Sequence, residues 1–179
     1  DAVLVQSEYS LNLFKNKGIN NVSRIYPAID TNYFKPGIDT RKLREQLSIS
    51  SNHQVVLFCG NYYLGCNDDL VEAIQVLSKK ENPIKFILAC RIGFPKDLLE
   101  KERMKSVFRE EGIIENVIFL DRVENIKQLI EISDIHIFPA RTMLYKSDIP
   151  LVLLESLSME TPIIITDISP LNEIMKEDV

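Results

Sequence analysis

The chain has 179 residues, about the length of one domain and enough to bury a core. Its 45% hydrophobic and 26% charged residues are ordinary for a globular protein. The net charge of −5 argues against nucleic acid as a main partner, and no apolar run approaches the roughly 18 residues of a spanning helix.

Taken in chain order, short apolar runs alternate with helical patterns. The chain opens at Asp1 directly into an apolar run over 2–5, without Met, and is expected to be a piece of a longer protein; no signal peptide is visible in these residues, which says little about the parent. A weaker run covers 22–26. Residues 31–40 hold Pro36 and Gly37 and read as a loop or hinge rather than a domain boundary. The basic residues Arg41, Lys42 and Arg44 are followed at once by Glu45 and read as a solvated helix face.

The run 54–59 is a buried strand by its β-branched and aromatic content, and it ends at Cys59 and Gly60. The next pattern, 67–80, places Leu70, Ala73, Ile74 and Leu77 on one helical face behind Asp68 and Asp69. A second buried strand follows at 84–89. Residues 96–111 form a charged helix whose apolar side is expected to be Leu98, Leu99, Val107 and Phe108.

A strand at 117–120, a short helical stripe of Ile126, Leu129 and Ile130, and a strand at 135–138 come next. The strand at 162–166 and a last helix at 170–176, with Pro170 just inside a Ser169 cap, complete the pattern. Alternation at this spacing predicts an α/β fold: a Rossmann-like parallel sheet with helices on both faces. Such sheets bind ligands at the carboxyl ends of their strands.

The three cysteines, Cys59, Cys66 and Cys90, fit no zinc spacing and read as buried free thiols in a reducing compartment. Gly60, Gly65 and Gly93 make no dinucleotide fingerprint, and no Ser-His-Asp or Cys-His arrangement is legible. His53 reads as a loop residue. His136 lies inside an apolar strand and reads as a core or strand-face residue. No carboxylate pair stands out as metal ligands.

The segment 146–167 carries the most information. It reads as an acidic loop, a helix with one carboxylate on its apolar length, a tight turn and a buried strand. A helix start offers unpaired N–H groups and partial positive charge, which suit a phosphate. Asp148 and Glu155, seven apart, are expected on one helix face, where a carboxylate suits sugar hydroxyls. The pattern predicts a pocket for a sugar nucleotide.

Six pieces in one order resemble the C-terminal donor-binding domain of the retaining GT-B glycosyltransferases of the large group 1 family, which includes mannosyl- and glucosyltransferases. They are 1–10; 25–31 with Phe34 and Pro36; 56–60; 116–121; 133–139; and 150–157, and the resemblance runs from Asp1 to Asp178. The resemblance implies that the whole chain, 1–179, is a single nucleotide-sugar-binding domain lacking its N-terminal acceptor domain. It implies transfer of a hexosyl group from a nucleotide diphosphate sugar with retention, in a cleft between the two halves, with no separate cofactor. The isolated chain is expected to be inactive.

In the family a Glu-x7-Glu pair lines the donor pocket, and Glu155 matches the second, implied to bind the ribose. The first falls at Ser147, a departure; Asp148 either substitutes for it or caps the helix, and the two roles are compatible. Backbone N–H groups at Ile149 and Leu151 are implied to face phosphate or sugar, Gly60 and Asn61 to face the ligand, and Arg122 and Val123 to edge the base. The Arg and Lys that usually follow the strand ending at Gly60 are absent from 61–67, which leaves Lys146, Arg141 and Arg91 as alternative phosphate cations or plain surface charges.

These departures keep a second reading open: a degenerate donor domain acting as a binding or scaffold module. A third, a nucleotide-binding module outside this family, lacks the ordered pattern. The parent is expected to be cytoplasmic, membrane-peripheral where its acceptor is lipid-linked, and engaged in glycan or glycolipid synthesis.

Overall fold

A computed structural model describes residues 2–144 and 146–175. Its strands are all parallel but fall into two sheets. The main sheet has five strands: β3 (Gln54–Gly60), β4 (Ile84–Cys90), β5 (Val117–Leu120), β6 (Ile135–Phe138) and β7 (Ile163–Ile165), in the order β5-β4-β3-β6-β7. The smaller sheet is a pair, β1 (Val3–Val5) and β2 (Val22–Arg24), joined by α1 (Glu8–Asn16). The α/β parallel architecture is as the periodicity predicts; its division into two sheets is not.

Alternation along β3 explains the layering. Val55 and Leu57 point to one face, where they meet Ile87, Leu129, Ile130 and Met159. Phe58 points to the other, where it meets Phe86, Leu88, Phe138 and the helices α3 (Asn67–Leu77) and α4 (Pro95–Glu110). The first face carries α5 (Ile126–Glu131), and α6 (Leu151–Ser158) reaches it through Val152. The short α2 (Arg41–Gln46) packs there through Leu43 and Leu47. Right-handed crossovers place helices on opposite faces once the chain reverses direction across the sheet.

Gly60 ends β3 for a packing reason. Residues two apart on a strand share a face, and a Cβ built at Gly60 would lie 2.2 Å from the Phe58 ring. That ring is fully buried and cannot yield. Gly60→Ala is therefore expected to destabilise the fold by on the order of 1–3 kcal/mol, as measured by urea unfolding.

His136 is wholly buried and faces α6, where its Nδ1 lies 2.7 Å from Ser156 Oγ. Ser156 Oγ already donates to Val152 O at 2.9 Å, so Nδ1–H is the donor and Nε2 is left as a buried, unpartnered acceptor. Burial lowers the imidazole pKa to about 4. Between that value and 6.5 the unfolded chain holds a proton that the folded chain lacks, so stability falls as pH falls through this window. The loss is on the order of 3 kcal/mol when complete. His136→Leu is expected to flatten this part of the stability–pH curve, read from urea midpoints between pH 7 and 4.

Three local expectations change. The buried stripe of α4 is Asp97, Lys101, Met104 and Phe108, whereas Leu98 and Leu99 are exposed. Val107 and Phe108 face the core as expected, but two charged residues occupy the first half of the stripe, so apolar periodicity selects the wrong side there. The last helix is a single 3-10 segment, Leu171–Met175, after a cis Ser169–Pro170 bond, and Lys176 lies outside the described residues. α6 starts only at Leu151, because Pro150 holds extended backbone (φ −65°, ψ 120°) and the residue before a proline is pushed out of the helical region. Asp148 therefore stands outside the helix and does not share a helical face with Glu155.

The small sheet is tied to the main body at the start of α1. Glu173, buried, accepts from the Glu8 and Tyr9 backbone N–H groups at 2.7 and 2.8 Å. Ser7, the N-cap, accepts from Ser10 N and donates to Asp148 Oδ2 at 2.5 Å. These bonds satisfy helix-end donors that would otherwise lack partners.

Candidate functional site

The strand order reverses between β3 and β6, so the loops after these strands diverge and leave a crevice at their carboxyl ends. The two loops run side by side there. Arg141 N donates to Leu64 O at 2.9 Å, and a Cβ at Gly65, whose φ is +73°, would lie 3.4 Å from that of Arg141.

A cation crosses the crevice. Oriented to satisfy its surroundings, the Asn61 amide donates to Gly60 O at 2.7 Å and accepts from Lys146 Nζ at 2.9 Å and from the Tyr63 hydroxyl. Lys146 is half-buried, and burial first, then the nearby Arg91 charge, lowers its pKa. A positive charge is thus held where water solvates it poorly.

Beside this bridge, at the ends of β3, β4 and β5, lies a cavity of about 580 Å³. Cys59 and Gly60, Arg91, Arg122 and Val123 line it, and Val152 of α6 closes one side. Asp121, also in the lining, is held by Lys101, whose ammonium lies 2.6 and 2.7 Å from its two carboxylate oxygens. Lys101 is buried on α4 and escapes a hydropathy reading, since a lysine in a charged helix reads as solvated. The spacing 97, 101, 104, 108 could have shown it as one helix face.

Glu155 lies one turn beyond Val152 on the same face of α6. It is half-buried, its pKa is raised by that burial, and its charge is felt at Cys59 in the cavity wall. Among the described residues its carboxylate has no hydrogen-bond partner. No side chain caps the start of α6, so its first N–H groups are available to a ligand.

The other sequence candidates are placed as follows. Ile149 is buried and Leu151 is exposed at the first helical position. Ser147 is exposed and donates weakly to Ile149 O at 3.3 Å. Asp148 neither caps α6 nor faces the cavity lining, since its carboxylate is engaged by Ser7. Arg91 is exposed on the cavity rim. Arg141 is exposed and held by a two-pronged ion pair to Asp69 at 2.6 and 2.7 Å, outside the cavity lining.

Cys66 and Cys90 are buried and Cys59 partly so, all as free thiols; burial pushes Cys66 up to about 11 and Cys90 up to about 12. Among the described residues no cluster of three His, Cys, Asp or Glu could hold a metal ion, and no helix is long and apolar enough to cross a membrane.

Comparison with known proteins gives a consistent result. The family model for glycosyl transferases group 1 matches residues 39–179. A crystal structure of a glycosyltransferase from Rickettsia africae superposes with a TM-score of 0.82 at 19% identity, over 100% of this chain and 48% of that one. Anabaena Alr3699/HepE, solved with UDP and glucose, superposes with a TM-score of 0.81 at 19% identity, over 99% and 47%. The C-terminal domain of the group 1 protein LpcC from Francisella tularensis gives 0.67 at 19% identity, over 84% and 76%. This chain thus spans about half the length of the first two. No curated protein matches the sequence.

Proposed function

The chain belongs to the GT-B group 1 glycosyltransferases, and from that premise we propose that it is the donor half of an enzyme that transfers a hexosyl group from a nucleotide diphosphate sugar with retention. The observation that carries this reading is the partnerless, half-buried carboxylate of Glu155 beside the cavity at the crevice. A half-buried carboxylate with no protein partner among the described residues leaves its oxygens free to accept from a ligand, and ribose hydroxyls are such donors. The base lies between Arg122, Val123 and Val152, where the cavity walls are largely apolar.

The diphosphate lies over the uncapped start of α6, against the N–H groups around Ile149 and Leu151, with Gly60 and Asn61 opposite. Lys146 supplies the charge that the loop after β3 lacks, reaching across from the other lip of the crevice. As the sugar–phosphate bond breaks, negative charge grows on the departing diphosphate, and a preorganised cation stabilises it. Arg91 adds charge at the rim.

In the parent protein an N-terminal acceptor domain completes the cleft. β1 pairs only with β2 among the described residues, while Leu4 and Ile25 are exposed. A two-stranded parallel pair with an open edge is marginal alone, and a sheet continued by the missing half would complete it. The nucleotide sugar is the only small molecule this reading requires. The acceptor is a glycan or lipid-linked glycan, the setting cytoplasmic and membrane-peripheral where the acceptor is a lipid, and the pathway glycan or glycolipid synthesis.

The test is calorimetric titration of the chain with UDP, GDP and ADP and their sugars. One nucleotide is expected to bind with micromolar to millimolar affinity. Failure of all of them overturns the donor reading and favours the alternative of a degenerate binding or scaffold domain. That alternative is motivated by the exposed Ser147 at the position of the first family carboxylate and by the diversion of Asp148 to Ser7.

A further inference from the structure

Two carboxylates tie the start of α1 to the main body, and each follows a strand of the main sheet. Asp148 lies on the loop between β6 and α6, and Glu173 lies on the 3-10 segment after β7. Glu173 takes up two backbone N–H groups, as a helix cap does. Asp148 instead accepts from the Ser7 hydroxyl at 2.5 Å, and among the described residues Ser7 is its one hydrogen-bond partner.

Ser7 is a fixed point. It is 0% exposed, and its hydroxyl oxygen also accepts from Ser10 N at 3.0 Å. A hydroxyl has one proton to give, and Asp148 takes it. The start of α1 therefore sets where the Asp148 side chain lies.

Asp148 in turn aims a backbone group. The Ile149 N–H belongs to the peptide that follows Asp148 Cα, and a peptide is a rigid plane, so the ψ angle of Asp148 sets its direction. An anchored side chain holds its own Cα and narrows that angle. The loop is also held on either side. Lys146 Nζ lies 2.9 Å from the Asn61 amide oxygen, and Pro150 O accepts from Leu153 N at 3.1 Å. Between them Ser147 is exposed and bonds only within the loop, at 3.3 Å to Ile149 O. Ile149 packs into the core, but apolar packing is non-directional and does not orient the peptide before it. The Ser7 bond is thus the polar anchor of this stretch among the described residues.

We propose that Ser7 is a positioning residue for the donor site, acting through Asp148 on the Ile149 N–H that faces the diphosphate. This rests on the donor reading above. On that reading the acceptor half continues the small sheet, so the bond also joins that half to the phosphate end of the donor site. It accounts for the departure at α6 as well: Asp148 anchors the loop, and the helix start is left without a side-chain cap.

The test is calorimetric titration of Ser7→Ala, Asp148→Ala and the double variant, each first shown to be folded by urea unfolding. The probes are whichever of UDP, GDP and ADP binds best and the matching nucleoside. Each single variant is expected to weaken the diphosphate about 3- to 30-fold and the nucleoside little. The double variant is expected to lose no more than either single one, since both remove the same bond. Asp148→Asn keeps an oxygen for the Ser7 hydroxyl and is expected to restore most of the affinity. On charge alone, removing a carboxylate beside a diphosphate would strengthen binding, so a loss in Asp148→Ala reports lost positioning. If Ser7→Ala does not fold, that loss and its rescue by Asp148→Asn decide.

An affinity unchanged in Ser7→Ala, no loss in Asp148→Ala, losses that multiply in the double variant, or equal losses for diphosphate and nucleoside overturn the proposal. If the unaltered chain binds none of the three nucleotides, the donor reading itself has failed. The Ile149 amide in the ¹⁵N–¹H NMR spectrum of the free chain then judges Ser7. A signal moved in Ser7→Ala as in Asp148→Ala upholds the positioning of this peptide, and an unmoved one overturns it.

Discussion

Replacing Glu155 with alanine is expected to weaken the preferred nucleoside diphosphate about 10- to 100-fold while leaving the fold intact. The magnitude follows from losing charge-assisted hydrogen bonds worth about 1.5–3 kcal/mol, at 1.4 kcal/mol for each factor of ten. Calorimetry measures it directly.

The stability of a second variant, Glu155→Gln, separates a binding role from a structural one. Burial raises the Glu155 pKa above that of the unfolded chain. The shift therefore favours the fold only at acid pH, below the unfolded value of 4.5, and that benefit is lost as pH rises through the folded value. At neutral pH the ionised carboxylate is a cost. Glu155→Gln should accordingly leave the neutral-pH melting temperature unchanged or raised. A marked loss of stability with unchanged nucleotide affinity would mean that the carboxylate serves packing alone. A residue that costs stability and gains binding fits a functional site.

Much of this was legible in the residues. β3, β4 and β5 read as buried strands because Val, Ile, Leu and Phe alternate across two covered faces. α3 kept its stripe, burying Leu70 and Ile74. In α4, Val107 and Phe108 face the core as the pattern predicts, whereas Leu98 and Leu99 do not, because the buried side there holds Asp97 and Lys101, each with polar partners that a hydropathy pattern cannot represent. The start of α6 misled because Asp148 suits a helix cap in isolation; only the fold brings Ser7, 141 positions away in sequence, against its carboxylate. Lys146 was one surface-like cation among three. The pairing of two loops across the crevice separates it from Arg141, which Asp69 holds.

That separation yields the second large effect. Lys146→Ala is expected to weaken the nucleoside diphosphate by about 10- to 100-fold, the cost of one charge-assisted bond to a phosphate. The matching nucleoside, which lacks phosphate, should lose little. Arg141→Ala should change neither, since that side chain is exposed and occupied by Asp69. The pH dependence gives an independent check. The Lys146 pKa is lowered in the free protein, chiefly by burial, and a bound diphosphate would raise it by pairing with the ammonium. Affinity is then constant below the lowered pKa and falls as pH rises above it, because the unbound lysine must regain a proton to bind. Between the two pKa values binding takes up a proton, so the calorimetric enthalpy should vary with the ionisation enthalpy of the buffer, and this variation should vanish in Lys146→Ala. Proton uptake that persists in the variant, or equal losses for diphosphate and nucleoside, would place the phosphate-binding charge elsewhere, with Arg91 on the cavity rim the next side chain to replace.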